Sequence, residues 1–158
     1  MKTVRIRVIQ NSNDTVLDSV IPLFDAMHVE MASQGMKLHL TKDGAQRWYE
    51  GIRNGLERFG RLAVAEQDGT VIGFAQGAIK LAPEHLGGAR IGHIAHLYVV
   101  PEYRRSGCAR LLAISLNEWM SSKDVTSIEL QVVHGNEAGL AFWGSLGFEP
   151  ELLQLRKI

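Results

Sequence analysis

The sequence contains a single cysteine, Cys108, among its 158 residues. It therefore forms no internal disulfide and lacks the thiolate cluster of a structural zinc site. We expect a protein without a metal centre that works in a reducing, cytoplasmic compartment.

An excess of one sign of charge is also missing. Lys and Arg together number 17, and so do Asp and Glu, so no net field draws the molecule toward nucleic acid or an acidic membrane. No apolar run approaches the roughly 20 residues that cross a bilayer, and residues 1–10 lack the apolar stretch of a signal peptide. These absences argue against a nucleic-acid-binding protein and against a membrane protein.

The composition that remains is that of an ordinary globular protein. Apolar residues make up 46% of the chain and charged residues 22%, which is enough for a buried core without disulfide or metal staples. Neither an internal repeat nor a linker divides the sequence, so we expect one domain over residues 1–158.

Hydrophobic periodicity predicts the elements of the first third of the chain. Alternation over residues 4–9 indicates a half-buried strand. Apolar residues at helical spacing indicate one helix over residues 16–35, stopped by Gly35, and a second over residues 41–60, stopped by Gly60.

Strands are expected in the middle of the chain. Two strands, near residues 61–67 and 71–80, flank Asp68-Gly69, which is a strong hairpin signal. The strand over residues 92–100 is apolar on both faces, which is typical of a central strand.

The last third of the chain alternates helix and strand. We expect a helix over residues 107–121, a strand over residues 127–133 and a short helix over residues 136–146 that ends at Gly147. Residues 148–158 then supply one or two closing strands, so the element order is β-α-α-β-β-β-α-β-α-β.

The stretch from Pro101 onward contains the residues that indicate a ligand site. A buried strand ends at that proline, a short basic turn follows, and a helix opens at Gly107 with small residues. The first amides of a helix have no intrahelical partner, and the helix dipole adds positive charge there. Gly107 and Ala109 allow close approach of a ligand. Three nearby guanidinium groups suit phosphate oxygens, those of Arg104, Arg105 and Arg110. The turn therefore indicates a pyrophosphate site.

Two motifs in this region resemble a known family. The first is Arg104-Arg105-Ser106-Gly107-Cys108-Ala109, preceded by Val99-Val100-Pro101. It resembles the acetyl-CoA motif of the GNAT superfamily of N-acetyltransferases, [RQ]-x-x-G-x-[GA] after V-x-P. The second runs from Asn136 through Trp143 to Phe148 and resembles the family signature N-x-x-A-x-x-x-[FYW]-x-x-x-G-F.

The resemblance implies both a fold and an activity. The fold is a mixed α/β (α+β) one, with a mostly antiparallel central sheet of six or seven strands, about four flanking helices, and splayed fourth and fifth strands. The activity is transfer of an acetyl group from acetyl-CoA to a primary amine of a small molecule or peptide, by direct attack and without a metal. The oligomeric state stays open, although dimers are common in the family and a homodimer fits the resemblance.

The resemblance further implies which residues hold the co-substrate. The pantetheine arm pairs with backbone groups of Leu97, Tyr98 and Val99. The pyrophosphate site comprises Arg104, Arg105, Ser106, Gly107, Cys108, Ala109 and Arg110. Asn136 lies near the pantetheine arm, although an asparagine there is equally good as a helix N-cap.

Trp143 departs from the family pattern. Many relatives have tyrosine there, as the acid that protonates the leaving thiolate. Indole N–H is a hydrogen-bond donor but not a useful acid. Trp143 is therefore expected to shape the thioester pocket or to donate a hydrogen bond to sulfur, and core packing explains it equally well.

Proton removal from the amine points to the histidines of the fourth strand, because imidazole titrates near neutral pH. Some relatives carry a glutamate on strand five as the base. The matching residue here is Gln131, which cannot serve as a base. His93 and His96 are three residues apart, so a regular strand would place them on opposite faces. We favour His93 as the base. More distant candidates for proton transfer are His134, Glu102, Tyr98 and Tyr103.

Cys108 lies on the first helical turn, where a thiol pKa can fall. A covalent acyl-cysteine route is nevertheless disfavoured, since GNAT transfer is direct and the motif points Cys108 toward the phosphates or the core.

Three other questions stay open in the sequence. A non-catalytic CoA-binding sensor or subunit would also explain Trp143 and Gln131, and an acyl donor other than acetyl would fit the same motifs. The acceptor is expected near residues 27–40 and 81–92, where Glu30 or Glu84 could bind a cationic amine.

Overall fold

The computed structural model describes residues 3–158 and contains one five-stranded sheet in the order β1-β2-β3-β4-β5. The strands are β1 (Arg5–Ile9), β2 (Gly60–Gln67), β3 (Thr70–Leu81), β4 (Arg90–Val99) and β5 (Ser127–Leu130). The first four strands are mutually antiparallel, and β5 runs parallel to β4. The mixed, mostly antiparallel sheet is therefore confirmed, with fewer strands than the sequence predicts.

Four α-helices flank the sheet. They are α1 (Val20–Ser33), α2 (Gly44–Arg53), α3 (Cys108–Ser122) and α4 (Glu137–Ser145). Among the described residues, none of the helices has the length and apolar character needed to span a bilayer.

The sheet has a hydrophobic core on each face. On one face α1 and α2 contribute Phe24, Met27 and Tyr49 to a buried cluster. On the other face α3 packs Leu112, Leu116 and neighbouring side chains against the strands. The sheet is thus the middle of three layers, and within it β4 lies between β3 and β5.

The β2–β3 hairpin forms at the predicted turn. Asp68 and Gly69 both adopt positive φ, 51° and 77°, which is the type I′ geometry that matches the twist of two antiparallel strands.

The second helix is shorter than predicted. It ends at Arg53 rather than at Gly60, which instead begins β2. The carbonyl of Gly55 accepts hydrogen bonds from the amides of residues 58–60, so the chain turns there, and glycine is a poor helix former. Phe59 is consequently exposed, not on the inner face of a helix.

The closing strands expected in residues 148–158 are not found. This segment has no strand partner within the described residues, and Leu152, Leu153 and Leu155 are more than 80% exposed. The apolar pattern alone predicts a strand, but a strand exists only where a neighbour accepts its backbone hydrogen bonds.

The β4 strand is bulged and then parts from β5. Gln76 of β3 pairs with His96, whereas the next residue, Gly77, pairs with Ile94. Ala95 is therefore an extra residue in β4, a β-bulge. Pairing with β5 extends from Ile91 to Ile94 and stops there.

Candidate active site

A cavity of about 1050 Å³ opens where β4 and β5 diverge. One wall is the edge of β4 from Ala95 to Val99, and the facing wall is residues 130–133. The C-terminal half of α1 covers one side, and α4 covers the other. The two resembling motifs therefore meet at one cleft, although they are about 30 residues apart in the sequence.

The turn before α3 has the geometry of an anion site. Arg105 has φ 61° and Gly107 has φ 86°, and such left-handed residues within a turn point successive amides toward one side. Within residues 3–158, the amides of residues 106–110 donate to no protein acceptor. Ala109 and Arg110 line the cavity, so these free donors lie at its end.

Arg104 is engaged by the protein itself. Its Nε donates to the carbonyl of Val99 at 2.8 Å, and its two terminal nitrogens donate to the Glu30 carboxylate at 2.8 and 2.7 Å. The guanidinium also lies 5.3 Å from the centre of the Tyr98 ring. The residue predicted as a phosphate ligand thus ties α1 to the end of β4.

The β4 residues predicted to pair with a pantetheine arm lie along the cavity. Leu97, Tyr98 and Val99 all line it, and beyond Ile94 no strand of the described residues pairs with this edge. Burial raises the pKa of Tyr98, which makes its phenol a weaker acid than an exposed tyrosine.

Asn136 and Trp143 line the cavity from the α4 side. The Asn136 carboxamide oxygen accepts from the Gly139 amide at 2.9 Å, so it caps α4, and its NH₂ group keeps both donors. Trp143 packs edge-on against Phe142 and Phe148, with ring centres 4.8 and 5.4 Å apart. The core-packing and cavity-lining interpretations of Trp143 both hold.

The two histidines of β4 lie on the same face of the sheet, which corrects the expectation of opposite faces. Their antiparallel partners on β3 are Ala78 for His93 and Gln76 for His96. These partners are two residues apart, so they share a face. The bulge at Ala95 adds one residue between the histidines and thereby restores their common side.

His96 lies at the floor of the cavity. Its Nδ1 is 3.0 Å from the Gln76 side-chain oxygen, which only accepts hydrogen bonds, so Nδ1 carries the proton and Nε2 keeps its lone pair. The rings of Phe24 and Trp48 lie 5.0 and 5.7 Å away. Burial, together with the smaller effects of the neighbouring His28 and His93, lowers the pKa of His96 from 6.5 to about 4. The imidazole is therefore neutral at pH 7.

His93 is not among the residues that line the cavity. It is half-buried beside the Lys80–Glu129 ion pair, and burial is the main cause that lowers its pKa. Its Nδ1 is buried without a hydrogen-bond partner among the described residues.

Cys108 is buried in the core beneath α3. Burial raises the pKa of its thiol, so the lowered pKa considered from its helical position is not found. Within residues 3–158, no group of three or more His, Cys, Asp or Glu side chains is placed to hold a metal ion.

Only one of the two acceptor segments reaches the cavity. Residues of α1 line it, whereas no residue of 81–92 does, and Glu84 is exposed elsewhere.

Sequence reasoning missed Gln76, which orients His96, because the partner across a bulged strand pair cannot be read from spacing. It also missed the pairing of Glu30 with Arg104, which are 74 residues apart.

Comparison with known proteins supports the geometric interpretation. The family model described as "Acetyltransferase (GNAT) family" matches residues 24–148. A mycothiol acetyltransferase of Amycolatopsis mediterranei (strain U-32) is 33% identical over 86 residues, which cover 54% of this chain and 29% of that protein. The chain thus matches less than a third of that relative's length.

Solved structures with the same fold cover nearly the whole chain. An aminoglycoside N-acetyltransferase, AAC(6')-Iy in complex with CoA, has a TM-score of 0.77 at 19% identity, covering 99% of this chain and 96% of that chain. A ribosomal-protein-alanine N-acetyltransferase of Brucella melitensis biovar Abortus 2308 has a TM-score of 0.71 at 17% identity, covering 99% of both chains. At these identities the likeness shows the fold alone.

Proposed function

This chain belongs to the acetyltransferase (GNAT) family, and we propose that residues 1–158 form one domain that transfers an acetyl group from acetyl-CoA to a primary amine. The observation that carries the proposal is the set of free amides at the start of α3, located at one end of a cleft between two diverging strands. The cytoplasmic location expected from the composition stays a prediction.

The residues present fit acetyl-CoA. Unpaired amides of residues 106–110 suit a pyrophosphate, and the Arg105 and Arg110 guanidiniums add charge beside them. The unpaired edge of β4 at Leu97 and Tyr98 suits the amides of a pantetheine arm. Arg104 supports this site through Val99 and Glu30.

When bound, acetyl-CoA supplies a thioester carbonyl that an amine can attack. The net reaction forms one C–N bond and breaks one C–S bond, and one proton moves from the amine to the thiolate. An ammonium group with a pKa near 10.4 must first lose a proton, so the chain needs an acceptor for it.

We assign that role to His96, because its Nε2 lone pair is free and its ring lines the cavity. His93, which the sequence favours, is retained as a second candidate on the same face, although it does not line the cavity. Trp143 is assigned to the shape of the thioester pocket, since indole donates a hydrogen bond but does not transfer a proton at neutral pH.

The test has two parts. Calorimetry measures acetyl-CoA binding to the purified protein, and a thiol assay measures CoA release after addition of primary amines. Binding together with amine-dependent release is expected. Absence of binding contradicts the proposal, and binding without release from any amine identifies a CoA-binding sensor or subunit instead.

A further inference from the structure

The acceptor end of the cavity can be located from the cofactor end. With a pyrophosphate at Gly107, an arm that follows β4 from Val99 to Ala95 covers four residues, or about 13 Å. The acyl group then lies near Ala95 and His96, where α1 passes over the cavity.

The α1 wall at this end is largely uncharged. It presents Met27, Met31 and Gln34 to the cavity, and methionine side chains adapt to apolar groups of varied shape. An apolar body attached to an amine finds complementary surface here.

Of the described residues that line the cavity, Glu30 carries the one carboxylate. Both of its oxygens accept hydrogen bonds from Arg104, at 2.8 and 2.7 Å. The nearest carboxylate is thus already neutralised by a guanidinium that is also fixed to Val99.

The remaining charged and titratable groups that line the cavity do not attract cations. Arg105 and Arg110 are positive, His96 is a neutral acceptor held by Gln76, and the Tyr98 phenol is neutral because burial raises its pKa. Each additional ammonium of a polycation would lose water without gaining an unpaired carboxylate as a partner, which is unfavourable.

We propose that the acceptor is a primary amine that bears a single positive charge and is attached to a largely apolar body, and not a polyamine or an aminoglycoside. The inference rests on the acetyltransferase function proposed above and narrows the substrate class of the same site.

Three probes test the inference with the intact chain and saturating acetyl-CoA: 2-phenylethylamine, spermidine and kanamycin. From the CoA-release rates we expect kcat/KM for 2-phenylethylamine to exceed that for each polycation by about tenfold or more. The variant Gln34→Glu adds an unpaired carboxylate of nearly the same shape to the wall. It is expected to reduce that preference by about threefold or more, by raising kcat/KM for the polycations.

The variant Val29→Glu is the matched control, because Val29 lies on the same helix but is 73% exposed and does not line the cavity. It should leave the preference unchanged. Equal or faster turnover of kanamycin or spermidine by the unmodified protein overturns this inference and leaves the acetyltransferase function standing. CoA release with none of the three amines contradicts this inference alone, and the acetyltransferase function is contradicted only if no other primary amine gives release either.

Discussion

At the scale of single residues, His96 carries the most specific assignment. Its Nδ1 is held by Gln76 and its ring lines the cavity, so the imidazole is oriented and its Nε2 is left as the proton acceptor. His93 has neither feature, because it lies outside the cavity lining and its Nδ1 has no partner among the described residues.

The two histidines are therefore expected to differ in their effect on catalysis. His96→Asn should lower kcat/KM by about 100-fold or more, the usual contribution of a general base. His93→Asn should lower kcat/KM by less than about tenfold, since the His93 ring does not line the cavity. Steady-state CoA release at pH 8 checks both, and calorimetry with CoA shows whether the cofactor site is intact. A larger loss for His93→Asn would return the base assignment to His93.

His96 also makes stability depend on pH. Its pKa is lowered from 6.5 to about 4 in the folded chain, so between these values the unfolded state binds more protons than the folded state. Folding stability contributed by the neutral imidazole is complete above pH 6.5 and is lost as the pH falls toward 4, by on the order of 3 kcal/mol in total.

Urea unfolding at pH 7.5, 6 and 5 tests this dependence. Asparagine does not titrate, so the stability of the unmodified protein relative to His96→Asn should decline as the pH is lowered. The other histidines are common to both proteins, so their own contributions largely cancel, and the electrostatic interaction of His96 with His28 and His93 is part of the difference that is measured. A difference that is constant across the three pH values would show that His96 is not held neutral by burial.

At the scale of elements, the cleft depends on how α1 is fixed on both sides. Arg104 joins α1 to the end of β4 through Glu30. On the opposite side, Gly135, in the loop after β5, approaches the end of α1 at the carbonyl of Gln34 so closely that no space remains there for a side chain. A β-carbon at Gly135 would overlap that carbonyl oxygen, so the loop approaches α1 more closely than any other residue type allows.

The substitution Gly135→Ala should therefore push α1 away from this loop. We expect a loss of about 1–3 kcal/mol in unfolding free energy, as for other overpacked sites, together with weaker acceptor binding. Thermal unfolding and the acceptor KM are the measurements. Gly144→Ala in α4 is the control, because a β-carbon there meets no atom within 4 Å, and alanine favours helix. Equal stability of the two variants would mean that the contact is absent in solution.

At the scale of the whole molecule, the segment over residues 149–158 has little to hold it. Its apolar residues Leu152, Leu153, Leu155 and Ile158 are each more than 80% exposed. Its side-chain contact with the body is a long hydrogen bond of 3.5 Å between Gln131 and Gln154. Beside it, β5 pairs with β4 alone among the described strands, and an open strand edge invites pairing.

We expect a second copy of the chain to cover this surface. Sedimentation equilibrium at tens of micromolar should then show a dimer, and Leu153→Asp with Leu155→Asp should shift it to a monomer. Val29→Asp, which places one such charge on an exposed apolar site of α1, serves as the control. A monomeric unmodified protein would contradict the homodimer.

The sequence by itself determined the elements whose signals are local. The Asp68-Gly69 turn, the break at Pro101 and the helix that opens after Gly107 all depend on neighbouring residues, because backbone sterics and helix-end amides act over a few positions. The GNAT motifs are of the same kind, and the family match confirms the family that they indicated.

The tertiary structure decided what depends on distant partners. The bulge at Ala95 places His93 and His96 on one face of the sheet, and Glu30 of α1 forms an ion pair with Arg104. The closing strands predicted in residues 148–158 do not form, because within the described chain this segment pairs with no strand of the sheet. Strand register, ion pairing and strand formation each depend on a partner that is distant in the sequence. The spacing of residues along one segment does not identify that partner, so these features could not be predicted from the sequence.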